Sequence, residues 1–129
     1  MLRARSELTF DIDIEHIAEE IEDVGKSEQR ELSSRLALLL SHLLKWQFQP
    51  SHRGASWEKT IKAQRKEIGY SLNETPSLKA KFSDGDWLDV VWAEAVAQAV
   101  SETGLDIFPD ECPWTNEQIM GIDFYPEVS

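Results

Sequence analysis

The sequence predicts an all-α protein, a helical bundle of about four long helices with short helices and a proline-rich C-terminal strap. Two observations carry that expectation. Apolar residues recur at three- and four-residue steps through most of the chain, as a helix with one buried face requires. Nowhere do they alternate in the period-two pattern, bounded by turn residues, that a strand needs. Composition agrees: 41% apolar and 29% charged residues are those of a chain that folds, and 129 residues suit one core.

Asp11 or Asp13 is placed to cap a first helix in which Ile14, Ile17, Ile21 and Val24 share a face, with Gly25 as the expected stop. Ser27 then caps a second helix, with Glu28 and Glu31 in or near its positively polarised first turn, running to about Gln47 ahead of Pro50. Leu32, Leu36, Leu39, Leu43 and Trp46 form a heptad-like stripe, and Leu38, Leu40 and Leu44 widen it almost round the cylinder. This is the helix expected at the centre of the core. After the loop Pro50 to Ala55, Ser56 caps a third helix, with Trp57, Ile61, Ile68 and Leu72 on one face and Lys59, Lys62 and Lys66 on another, ending near Asn73. Thr75-Pro76 reads as an N-cap and first helical position, predicting a short helix over Ser77 to Phe82 closed by Asp84-Gly85. A fourth long helix begins near Asp86, presents Leu88, Val91, Ala95 and Ala99, and reaches a left-handed C-cap at Gly104. Pro109, Pro113 and Pro126 punctuate the rest, leaving one helical turn at Thr115 to Met120 in a strap that packs Phe108, Trp114 and Tyr125 onto the bundle.

No repeat and no Gly/Ser/Pro-rich linker interrupts this series, so the expected organisation is a single all-α domain over residues 1–129, with an N-terminal tail at 1–12 and the strap at 105–129. The longest apolar run, Leu36 to Leu40, is far short of a membrane span, and the start has arginines without the apolar stretch of a secretory signal. A cytoplasmic location is therefore expected. Cys112 is the only cysteine, which excludes an internal disulfide and a cysteine zinc site. Net charge is −11, from 13 basic and 24 acidic side chains, and the charge is segregated. Glu7 to Asp23 and Ser83 to Ser129 hold acids and no bases, while Lys45, Arg53, Lys59, Lys62, Arg65, Lys66, Lys79 and Lys81 make the middle basic.

The string EHIAEEIEDVGKSEQRELSSRLALLLSHLLKWQFQP, from Glu15 to Pro50, resembles the bacterial domain-of-unknown-function family numbered twenty-nine. The segments SW at Ser56 and Trp57, TPSL from Thr75, SETGL from Ser101 and FPDECPW from Phe108 follow that family's pattern in the same order. The resemblance implies an all-α bacterial domain with no agreed activity, substrate or catalytic residue. Members usually carry an aromatic and acidic segment of the kind DFYAW ahead of the first helix, and Met1 begins after it, so this member is either truncated or short at its start.

Helical bundles hold metals with inward His and carboxylate ligands, and His16 lies one turn from Glu19 and Glu20, but no Glu-x-x-His, His-x-x-x-His or HExxH pair occurs. No metal and no cofactor are expected. Nor does any G-x-S-x-G, P-loop or dinucleotide fingerprint appear. The sharpest candidate is a polar line on the leucine-rich helix, Arg35, His42, Lys45 and Gln49, which points toward the loop with His52 and Arg53 and the helix start at Ser56. With Trp46 and Trp57 as walls, these residues make a candidate pocket for a phosphate or carboxylate. The blander account has the same groups paired with the chain's own acids, such as Asp110 and Glu111, and the surplus of carboxylates favours it.

Three functions follow, in order. The first is a non-enzymatic interaction module that binds another protein, a basic one, through its acidic first helix or strap. The second is a small-anion-binding or catalytic protein using the His42, Lys45 and Arg53 region. The third is nucleic-acid binding through Lys59, Lys62, Arg65 and Lys66, against which the net negative charge argues.

Overall fold

A computed structural model describes residues 10–128, with side chains from Gly25 to Val128. Four α-helices, α1 (Phe10–Phe48), α2 (Ala55–Glu74), α3 (Gly85–Thr103) and α4 (Asn116–Met120), are joined by two 3-10 segments, Pro50–His52 and Pro76–Ser83. The protein is an all-α helical bundle, with no strand among the described residues. It divides into two compact units, residues 1–31 and 32–129.

The break expected at Gly25 is absent, since Gly25 and Ser27 both lie inside α1. An interior glycine costs a helix only about 1 kcal/mol, too little to end one that neighbouring residues favour. Ser27 caps nothing, and its hydroxyl accepts from Arg30 at 3.4 Å. Of the tail expected at 1–12, residues 1–9 lie outside the described residues, and Phe10 already begins α1.

The second unit is organised by the leucines. Leu32, Leu36, Leu39, Leu43 and Leu44 are fully buried, and with Ala37 and Leu40 they meet Ile61 and Ile68 of α2 and Val91, Trp92, Ala95 and Ala99 of α3 in one core. Each buried leucine, isoleucine or valine among them contributes roughly 1.5–3 kcal/mol by leaving water, and the alanines let the helices approach closely. Arg35 reaches Gln64 while Lys45 lies over Trp57, so α2 runs antiparallel to α1. Ser33 reaches Glu94 and Lys45 reaches Glu102, so α3 runs parallel to it.

The ends of the helices follow local chemistry. Asp84, rather than a residue nearer Asp86, caps α3 by accepting from the Trp87 amide at 3.2 Å. Gly104 closes α3 at φ 74°, a left-handed conformation that costs a glycine nothing. Ser56 does not cap α2: Gly54 is the N-cap, two residues earlier, the helix starts at Ala55, and Glu58 supplies the negative charge in its first turn. Thr115 and Gln118 cap α4 reciprocally.

The C-terminal segment packs as a strap. Phe108 stacks edge-on against Phe48, Tyr125 lies against Trp46, and Trp114 lies against Trp92, whose indole N–H donates to the Pro109 carbonyl at 3.0 Å.

Candidate functional site

Lys45 sits on α1 among leucines and is 4% exposed. Its ammonium pairs with the Glu102 carboxylate at the end of α3 and lies 5.2 Å from the Trp57 ring centre. Gln49, His52 and Thr103 complete a cleft of about 350 Å³ around this pair, and the His52 ring stacks on Trp57 at 6.5 Å. Of the eight residues singled out above, the fold therefore brings four together here: Lys45, Gln49, His52 and Trp57. They converge on a cation that a carboxylate already neutralises.

The other four serve elsewhere. Arg53 donates through Nε to the Trp46 carbonyl at 2.6 Å and through Nη2 to the Pro126 carbonyl at 3.5 Å, with its guanidinium 5.1 Å from the Trp46 ring centre. It fastens the end of the strap to α1. Arg35 faces α2, where Gln64 accepts at 3.4 Å and Glu67 lies 3.5 Å away. His42 is buried, and its Nδ1–H donates to the Leu38 carbonyl one turn back at 3.0 Å. Burial holds its pKa below the usual 6.5, against the opposing pull of that hydrogen bond, so the imidazole is neutral at pH 7. The acids expected as partners, Asp110 and Glu111, are exposed, and Glu102 is the carboxylate that takes Lys45.

Glu102 was not legible as a partner, because it lies 57 residues from Lys45 and no local pattern joins them. Arg65 was legible, and the basic-face reading misplaced it. Ile61, Arg65, Ile68 and Leu72 are spaced four, three and four apart, which puts Arg65 in the apolar stripe of α2 rather than with Lys59, Lys62 and Lys66. It is 4% exposed and lies beneath the lysine face rather than on it, so it adds nothing to a flat basic surface. Its Nε donates to the Ile119 carbonyl at 2.8 Å and its Nη2 to the Phe124 carbonyl at 2.7 Å, clamping the strap where it passes α2.

Among the described residues no three His, Cys, Asp or Glu side chains gather closely enough to hold a metal, and no helix is long and apolar enough to cross a membrane. What does stand out is charge. All 13 bases precede Ser83, together with thirteen acids, so residues 1–82 are formally neutral and the eleven carboxylates from Asp84 to Glu127 account for the whole net charge of −11. On α3 three of them edge an apolar strip: Val90, 60% exposed, with the exposed Ala93 and Ala97, is flanked by Asp86, Asp89 and Glu94.

No curated protein and no solved structure matches the chain. The family model described as Domain of unknown function DUF29 matches residues 2–125, nearly the whole length, and the protein belongs to that family.

Proposed function

We propose that this protein is a non-enzymatic interaction module of the bacterial cytoplasm, which binds a basic protein partner through the acidic face of α3 and the adjoining strap. The observation behind this reading is the solvent face of α3, where Val90, Ala93 and Ala97 form an apolar strip edged by Asp86, Asp89 and Glu94, in a segment without a single Lys, Arg or His. Carboxylates around a small apolar strip steer a positive partner at long range and give it something dry to seat on. The rival, an anion pocket or catalytic centre at His42, Lys45 and Arg53, has less behind it. Lys45 is neutralised by Glu102, Arg53 is bound to two carbonyls, and His42 turns back on its own helix.

The test is a pull-down with the full chain from its native bacterial lysate, treated with nuclease and washed at two salt concentrations. It is run beside the triple variant Asp86→Lys, Asp89→Lys, Glu94→Lys, whose changes are all on exposed positions. The reading expects a stoichiometric protein retained at low salt, lost at high salt and lost by the variant, with helix content unchanged. A partner indifferent to both salt and substitution, or no stoichiometric partner at all, overturns it.

A further inference from the structure

A cavity of about 580 Å³ lies between α2 and the strap. Lys59, Lys62 and Lys66 line it from α2, spanning two helical turns, about 10 Å. Met120 and Ile122 form the facing wall, and Ile122 is 76% exposed, unusual for so apolar a side chain. Arg65 lies at the base, and the single carboxylate on the lining is Asp123. In a chain with a large negative charge, this one depression gathers four cations against one acid.

Arg65 makes the depression more than a cluster of surface lysines. Its Nε and Nη2 are engaged by the strap, but Nη1 is buried and has no acceptor among the described residues. A buried guanidinium with an unsatisfied donor is costly, and an acceptor brought to it recovers much of that cost. The lysines around it are exposed, and among the described residues Lys62 pairs only with the half-exposed Glu58 at 3.6 Å, a pair of the kind that contributes little and exchanges readily.

We infer that this cavity is a binding site for a small organic anion, a single carboxylate, phosphate or sulfate head on an apolar body, with the head among Lys62, Arg65 and Lys66 and the body against Met120 and Ile122. The volume lies within the ~300–1,000 Å³ range of small-molecule sites. Two apolar side chains cover a ligand of that size, whereas a stable protein interface needs about 800 Å² from each partner. This site is separate from the acidic face of α3, so either can fail without the other.

The experiment titrates the full chain with decanoate, below its aggregation threshold, while backbone amide shifts are followed. Saturable one-to-one binding is expected, with shifts confined to residues 59–66 and 119–123. The variant Lys62→Gln/Lys66→Gln, with unchanged helix content because both positions are exposed, weakens binding about tenfold or more, and Ile122→Ser weakens it as well. Lys79→Gln/Lys81→Gln, outside the cavity, leaves it unchanged. Inorganic phosphate or 1-decanol binding as tightly as decanoate would show that only one half of the site matters and would overturn the inference. So would failure of decanoate to bind, or equal binding by the Lys62/Lys66 variant.

Discussion

Lys45 and Arg65 bring the same charge into the same core, each 4% exposed, and the protein accommodates them in different ways. The lysine meets a carboxylate, Glu102, whose side chain is half exposed, and an aromatic face, Trp57. The arginine meets no carboxylate among its hydrogen-bond partners. It donates to two backbone carbonyls and lies 5.4 Å from the Tyr125 ring centre. An ammonium is a compact point charge that needs a counter-ion, while a guanidinium spreads its charge over a planar fork whose donors can hold two separate carbonyls. The difference assigns their work: Lys45 ties one helix to another, and Arg65 shapes the backbone of the strap.

The largest effect should therefore come from Arg65→Met. Two charge-assisted hydrogen bonds disappear and the carbonyls of Ile119 and Phe124 lose their donors, a loss of about 3 kcal/mol measured by chemical denaturation. Amide hydrogen exchange should accelerate most between Ile119 and Phe124. Arg65→Lys should recover little of this, because one ammonium cannot span both carbonyls. A full rescue by lysine would show that charge, not the fork, holds the strap.

Next comes the Lys45 pair, which should respond asymmetrically. Glu102→Gln leaves a buried ammonium without its counter-ion and should cost about 2 kcal/mol. Lys45→Met instead leaves Glu102, which is half exposed and can be hydrated, and puts a flexible apolar chain among leucines, so the expected cost is about 1 kcal/mol or less. Equal costs for the two variants would mean that the two ends of the pair share one environment. That would remove the contrast with Arg65.

This contrast also marks where sequence reasoning succeeds. The leucine stripe of α1, the glycine stop at Gly104 and the turn at Thr115 are local rules, each set by residues within a few positions of one another, and each is found where it was expected. Arg65 obeyed a local rule too, the stripe of Ile61, Ile68 and Leu72, but its charge drew it into the basic group beside it. Glu102 obeyed none, because partners on different helices are decided by packing. Gly25 was misread for the opposite reason: its weak local preference for a stop lost to the helical preference on either side.

His42 offers the smallest effect and a third way of placing an ionisable group in this core, which is to leave it uncharged. It lies one turn before Lys45, and burial lowers its pKa, with the nearby Lys45 charge adding to the shift while the Leu38 carbonyl and Glu102 oppose it. The sign follows from linkage. Above pH 6.5 the imidazole is neutral in both folded and unfolded chains and stability is indifferent to it. As pH falls below 6.5 the unfolded chain takes up the proton first, so the folded state loses stability until the lowered folded pKa is passed. Because the chain carries 24 carboxylates besides this imidazole, the quantity to measure is a difference, the stability of the native protein minus that of His42→Gln, between pH 7.5 and 5. It should be level above pH 6.5 and decline below it. A difference that stays level throughout would mean that His42 accepts its proton as easily inside as outside. A difference that rises toward acid would mean that Glu102 stabilises a charged imidazole, making His42 a second counter-ion to the acid that Lys45 is placed to neutralise.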